Sequence, residues 1–390
     1  MLIVDAVLVG LLVLALVVGV QRGLLASLGV LIGIVLGGLA AYLLVPLVNS
    51  VWPWPDTRVI AVVILALFLL VGGGMAGGAI GTALRRGVDR GPLKVLDRLL
   101  GGVLAVLAGA LSLTLITLSV GNTGAPGLSI ALKSSAVMRT IDSITPRPIA
   151  DVLAQVSSVV TQDALPELGK LLALDGQPSA EPVAVDDPEV AIAEASVARV
   201  SGIAFECGIS ATGTGFVVAT DRVVTNAHVL AGVETAIVEL PGRPAREGRI
   251  VYFDAIDDLA VIAVDGLDAS ALPVVDPLPV GTAAVVAGYP YGGPFSAVPA
   301  EVLSTGEVFV PDIYGQSSAL RSIYGLAAAV NPGNSGGPLL TGDGAVAGVV
   351  FARAEDETDR GYAMTTVELQ PVLAAAPGLT EPVASGACAR

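Results

Sequence analysis

Residues 331–340 read NPGNSGGPLL. A run so dense in Gly, Pro and Asn is a turn, and it opens into apolar Leu339 and Leu340. The question is whether Ser335, set among Gly333, Gly336 and Gly337, is only a loop residue or a nucleophile. A serine hydroxyl attacks poorly at neutral pH. It needs a base within hydrogen-bond reach and an anion that fixes the base's tautomer. It also needs backbone N–H groups aimed at the developing oxyanion, which calls for a tight turn with unusual dihedrals. The glycines supply that freedom, and the amides of Gly333 and Ser335 are the expected oxyanion hole.

The base is not in doubt, because the chain has one histidine. His228 lies in VVTNAHVL, residues 223–230. Three carboxylates, Asp254, Asp257 and Asp258, lie in DAIDDLAVIAV, residues 254–264. A strand alternates faces, so Asp257 and Asp258 cannot both point at His228. Asp258 is favoured because it directly precedes the apolar strand that would anchor it. Each string alone is ordinary turn chemistry; together they make one constellation. Around them, from residue 196 onward, short β-branched segments alternate with Gly, Pro and Asp. GTGFVVA, DRVVTNAHVL, ETAIVEL, REGRIVYF, DLAVIAV, AAVVAGY, AEVLSTGEVFV and GAVAGVVFA are read as strands. This spacing predicts an all-β barrel or sandwich.

TNAHV, DLAVI and GNSGGPLL resemble the three active-site strings of chymotrypsin-fold serine proteases, closest to the HtrA/trypsin-like branch. The order His, Asp, Ser fits that fold and not subtilisin or the α/β-hydrolases. The resemblance implies a double β-barrel with Asp258 as the acid. It places Ala329, six residues before the nucleophile, at the base of the S1 pocket. It makes VVFAR, residues 349–353, the edge that pairs with substrate backbone, with Phe351, Ala352 and Arg353 beside the pocket. Ala329 offers no acid, so an apolar P1 residue is expected. The residues after Ser335 are expected to finish a second barrel without a PDZ domain.

The rest of the composition points to a bilayer. Apolar residues make up 54% of the chain and charged ones 14%, and the apolar excess sits in residues 1–120. Four stretches, about 2–20, 24–48, 59–84 and 99–120, can each cover the roughly 30 Å of hydrocarbon that takes about 20 helical residues. A cleavable signal peptide is the alternative for the first. It lacks a basic n-region, carries Asp5 and is followed at once by further spans. Gly72, Gly73, Gly74, Gly77, Gly78 and Gly81 read as a helix-packing face. Arg22 lies between the first two spans. Arg85, Arg86, Arg90, Lys94 and Arg98 lie between the last two. Basic loops stay cytoplasmic, so the termini and everything after residue 121 are expected outside, with Trp52 and Trp54 at the outer headgroups. RRGVDRGPLKVLDRL, residues 85–99, is expected along the inner surface. Asp5, QRG at 21–23 and LDRLLGGVLAVLAGAL at 96–111 resemble the colicin V production (CvpA) family of four-span proteins.

Between these regions, residues 121–195 are read as two short helices, in ADVLAQVSSVVTQ and ALPELGKLLAL, followed by an acidic, Pro-rich tether, DGQPSAEPVAVDDPE, ending near residue 190. Cys207 and Cys388 lie near the ends of the β-rich region, and a disulfide between them is expected to persist outside the cytoplasm. The net charge of -15 argues against nucleic acid. One histidine and no CxxC pair argue against zinc, so neither metal nor cofactor is expected.

The whole arrangement resembles the membrane-anchored, acid-resistance serine proteases of actinobacteria, which implies a role in envelope stress. The expectation is therefore a four-helix membrane bundle over 1–120, a connecting region over 121–195 and a chymotrypsin-like double barrel over 196–390. The chain is read as a multi-pass plasma-membrane endopeptidase acting on envelope proteins or peptides from the periplasmic side. The alternatives are a transport or secretion component whose outer domain only binds peptides, and a sensor that cuts itself near residues 180–200.

Overall fold

The computed structural model describes residues 2–51, 55–85, 94–120, 131–132, 134–158, 166–168, 171–172, 182–183, 187–204, 207, 209–355 and 359–389. The chain divides into two units, Leu2–Leu113 and Thr114–Arg390.

The apolar stretches are helices: α1 (Leu2–Arg22), α2 (Leu24–Val51), α3 (Pro55–Arg85) and α4 (Lys94–Val120). Among the described residues two segments, Ile3–Arg22 and Lys94–Thr114, are long and apolar enough to cross a membrane by length and composition. Gly23, at φ +77°, separates α1 from α2. α2 and α3 meet through glycine. A Cβ on Gly29, Gly33, Gly73 or Gly77 would strike the backbone of the opposite helix, and one on Gly81 would strike Leu25 and Ala26. Residues 73, 77 and 81 are one helical face, spaced by four. Gly74 and Gly78 meet the side chains of Ile34 and Val30, whereas Gly72 faces open space and does not belong to the packing face. Trp52, Trp54 and residues 86–93 of the expected surface-lying stretch fall outside the described residues.

The second unit begins with α5 (Ala136–Ile144) and α6 (Arg147–Ser158), then β1 (Glu167–Leu168) and α7 (Pro188–Glu194). The helix expected in ALPELGKLLAL is absent at residues 166–168, where the backbone instead pairs as a strand. The acidic tether ends in a helix. Asp187 accepts from Glu189 N (3.0 Å) and Pro188 opens the first turn, a strong start signal.

Six strands close the first barrel in the order β2-β3-β4-β7-β6-β5. They are β2 (Val197–Ala204), β3 (Ile209–Ala219), β4 (Arg222–Thr225), β5 (Ala236–Glu239), β6 (Arg246–Asp254) and β7 (Leu259–Ala263). The second sheet runs β1-β12-β11-β8-β9-β10-β13, and a β12–β13 pairing closes it, with β1 appended outside. Its strands are β8 (Ala283–Gly288), β9 (Ser296–Pro311), β10 (Ser318–Ala327), β11 (Pro338–Leu340), β12 (Val346–Ala354) and β13 (Arg360–Thr365), followed by α9 (Thr366–Ala375). DRVVTNAHVL is not one strand. It leaves the sheet at Thr225, and Ala227–Leu230 form a helical turn, α8.

Each barrel has its own apolar interior. Val200, Val217, Val223 and Ile262 fill the first, and Val286, Val302, Leu326 and Leu339 the second. A third cluster joins Phe216 and Val261 of one barrel to Phe351 and Met364 of the other. Each such large side chain contributes about 1.5–3 kcal/mol on burial.

The C-terminal tail crosses the first barrel. Val383 N donates to Ile250 O (2.8 Å), Gly232 N to Ser385 O (3.2 Å), and a disulfide joins Cys207 to Cys388 across a separation of 181 residues. Replacing Cys388 with serine is expected to lower unfolding free energy by about 2–4 kcal/mol. Denaturant melts with and without reductant check this: reductant should bring the parent down to the variant.

α5 packs on the first barrel beside a half-buried ion pair, Arg199 Nη2 to Glu239 Oε1 at 2.5 Å. Burial holds the nearby Asp142 carboxyl above its ordinary value; Arg199 opposes this and Glu239 adds to it. A carboxyl raised on folding contributes stability that is fully present below its unfolded value, 3.8, and is lost as pH rises through the folded one. Asp142→Asn is therefore expected to flatten the fall in melting temperature as pH rises above 3.8. Thermal melts at several pH values test it; unchanged slopes in the variant would refute it.

Candidate active site

His228 is carried by α8, directly after β4. Asp258 stands at the entry to β7 with φ +54°, a left-handed conformation that a short polar residue tolerates. That turn aims both carboxylate oxygens at the histidine. His228 N donates to Oδ1 (2.9 Å), and the ring Nδ1 lies 2.8 Å from Oδ2. An ionised carboxylate only accepts, so Nδ1 carries a proton, and in the neutral ring Nε2 presents its lone pair. Asn226 Nδ2 donates to Asp258 O (2.7 Å) and ties the two turns together.

The neighbouring aspartates do other work. Asp254 Oδ1 accepts from Ile256 N (2.8 Å) and Asp257 N (3.0 Å), and its Oδ2 accepts from the Tyr252 hydroxyl (3.1 Å), which builds the turn before Asp258. Burial, with Asp254 beside it, pushes the Tyr252 hydroxyl up to about 12. Asp257 is 42% exposed and lies 4.0 Å from Arg321 Nε.

Arg321, fully buried on β10, escaped the sequence reading. Its Nη2 donates to Ile256 O and to Pro311 O (3.3 Å), so the second barrel grips the acid-bearing turn of the first. Burial pulls its pKa below the ordinary value, against the opposing field of Asp258 and its neighbours. The available signal was a single cation inside SALRSIYGLA.

The Ser335 turn is held almost wholly by main chain. Asn334 N donates to Asn331 O (2.9 Å), Gly337 N to Asn334 O (2.9 Å), Gly336 N to Val350 O (2.8 Å) and Thr214 N to Ser335 O (2.8 Å). The amides of Gly333 and Ser335 make none of these bonds. Gly333 (φ +91°) and Gly336 (φ +79°) need the left-handed region. A Cβ on Gly336 would strike Thr214 O and Thr225 Oγ1, which sets the serine turn directly against the residues leading to His228. Ser335 Oγ and His228 Nε2 are both buried, and neither has a hydrogen-bond partner among the described residues. The two turns are adjacent, yet the expected serine–histidine hydrogen bond is not made.

Thr214 is a second residue that the sequence reading missed. Its hydroxyl donates to Gly333 O (2.6 Å) and accepts from Tyr289 N (3.0 Å), which fixes the Gly333–Asn334 peptide at the start of the nucleophile turn. Thr214→Val would strand both groups. The expected result is a 10- to 100-fold fall in kcat, comparable to or below the loss of an oxyanion donor, in a protein that still folds. Steady-state kinetics with a thermal melt check it.

The pocket positions are spread out. Ala329 is exposed, whereas Phe351 and Ala352 are buried in the shared core and Arg353 is half-buried. Among the described residues no group of three His, Cys, Asp or Glu side chains could hold a metal ion.

An imidazole steadied by a carboxylate, beside a serine in a glycine turn where two antiparallel barrels abut, is the architecture of chymotrypsin-type serine proteases. The trypsin-like peptidase domain family matches residues 213–349, and the colicin V production protein family matches residues 4–146. The chain is 33% identical over 378 residues to the serine protease Rv3671c of Mycobacterium tuberculosis, covering 95% of this chain and 94% of that one. The crystal structure of the active form of the Rv3671c protease superposes with a TM-score of 0.54 at 38% identity, over 58% of this chain and all of that one. A putative serine protease of Synechocystis, HhoB, is 38% identical over 174 residues, 41% of this chain and 39% of its own length. The chain belongs to the family of serine proteases that joins a colicin V production region to a trypsin-like domain, and it is a serine endopeptidase.

Proposed function

We propose that the chain is a membrane-anchored endopeptidase in which Ser335 attacks the peptide carbonyl, His228 takes and returns the proton, and Asp258 orients His228. The observation that carries this reading is the double grip of Asp258 on His228, which in the neutral ring leaves the Nε2 lone pair beside the serine turn. Gly333 N and Ser335 N stabilise the oxyanion. The acyl-enzyme on Ser335 then yields to water, with His228 as the base. Protein or peptide chains are the substrates, and the small Ala329 favours an apolar P1 residue.

In this proposal α1 to α4 are four membrane spans over residues 1–120, the basic residues between α3 and α4 stay cytoplasmic, and the barrels over 196–390 work outside, joined by residues 121–195. The match to the colicin V production family and the two apolar segments long enough to span support anchoring. A role in envelope or acid stress extends from the resemblance to the actinobacterial proteases, and self-cleavage near residues 180–200 from the acidic, Pro-rich composition of the tether.

Labelling with a fluorophosphonate, followed by peptide mapping, tests the assignment. The adduct is expected on Ser335 of the folded protein. Folded protein that takes no label at residue 335 would overturn the nucleophile assignment and favour an outer domain that binds peptides without cutting them.

A further inference from the structure

β12 runs away from the nucleophile turn, and two partners share one of its edges. Near Ser335, Gly336 N donates to Val350 O (2.8 Å) and Val350 N to Gly337 O (2.9 Å). A bulge at Phe351 follows. Beyond it, Arg353 N donates to Pro166 O (3.1 Å) and Glu355 N to Leu168 O (3.1 Å). Glu167 lies opposite Arg353 and Leu168 opposite Ala354, in parallel register. The other edge is already taken by β13, through Ala352–Tyr362 and Arg353–Gly361. β1 therefore sits on the edge that a substrate backbone would use beyond the bulge.

Polarity decides what β1 does there. A peptide cut at Ser335 has its acyl residue at the serine, and its preceding residues extend along β12 towards Arg353. It runs towards Ser335 while β12 runs away, so the two are antiparallel. β1 runs with β12 and presents its peptide groups in the reverse order. Such a strand blocks backbone pairing without offering a bond in cleavable orientation.

We propose that Pro166–Leu168 is a built-in, reverse-oriented inhibitory strand that substrates must displace from Arg353–Glu355. The inference rests on the endopeptidase reading above. The hold is small: these main-chain bonds, half-buried Leu168, Leu171 and Leu172 against the core, and Leu171 N to the Tyr362 hydroxyl (3.2 Å). An extended peptide adds to a sheet edge through main-chain bonds of the same kind, so it competes with β1 for this one.

Two substrates separate the edge from the chemistry. A blocked single-residue ester reaches only the serine, and a blocked pentapeptide reaches Arg353. In the full chain, Leu168→Asp is expected to raise kcat/KM for the pentapeptide about tenfold, mainly through KM, if the edge is open about a tenth of the time. Ester hydrolysis is expected to stay unchanged. An unchanged or lower pentapeptide value with normal ester turnover would overturn the inhibitory role. In the unaltered protein, a tetrapeptide boronate is expected to speed hydrogen exchange at Leu171 N, and a single-residue boronate is not. Continued protection of Leu171 N with the tetrapeptide boronate bound would overturn the proposal without any variant. Absence of ester turnover and of fluorophosphonate labelling in the parent would instead remove the endopeptidase assignment.

Discussion

Replacing Ser335 with alanine is expected to cut peptide hydrolysis by about a million-fold, the scale on which a triad nucleophile is lost, and to leave the protein folded. The hydroxyl is buried yet makes no hydrogen bond among the described residues, so their packing draws nothing from it. The turn is held by the amides and carbonyls of Asn334, Ser335, Gly336 and Gly337, which alanine retains. A buried, unpartnered hydroxyl costs about 1–3 kcal/mol, so the melting temperature is expected to stay level or rise. The measurements are kcat on a blocked peptide, fluorophosphonate uptake and a thermal melt. Turnover within tenfold of the parent, in a folded variant, would remove Ser335 from the chemistry.

Asp258→Asn is expected to lower kcat by about ten thousand-fold with little change in KM, the magnitude seen when a triad aspartate loses its charge. Two donors, His228 N–H and Nδ1–H, converge on one carboxylate. An amide has one oxygen for them and sets an NH2 group against the other. If its oxygen serves the backbone amide, Nδ1 must become an acceptor, and the ring proton moves to Nε2. The imidazole then faces Ser335 as a donor and cannot take its proton. The left-handed backbone at Asp258 suits asparagine, and Asn226 holds a main-chain oxygen, so both survive the change. A variant within tenfold of the parent would mean that another group orients His228.

What was legible in the sequence was local chemistry. Three short strings carried the candidate triad because each packs a scarce residue into turn-forming neighbours. Alternation said that Asp257 and Asp258 could not both face His228, and the apolar strand directly after Asp258 favoured it; the structure turns Asp258 to His228 and leaves Asp257 half-exposed. What was not legible depends on distant contacts. Arg321 looks like one charge in a mediocre strand until Ile256 O is seen beside it. Thr214 is one hydroxyl among many until Gly333 O and Tyr289 N converge on it. β2, β10 and β13 went unread because Ser, Arg and Gly dilute their β-branched residues, and barrel closure overrides that weak propensity. ALPELGKLLAL has helical spacing, but the open edge of β12 recruits Pro166–Leu168 into a sheet.

The cystine between Cys207 and Cys388 makes a covalent ring of nearly the whole double barrel, with residues 228, 258 and 335 inside it. A single nick anywhere within the ring releases nothing while the cystine is intact. On a non-reducing gel such a molecule migrates near its uncut mass, and only reduction parts the pieces. A cut upstream of residue 207 lies outside the ring and sheds the N-terminal portion whether or not thiols are present. Comparing the two gel conditions therefore locates a cleavage relative to residue 207 before any fragment is sequenced.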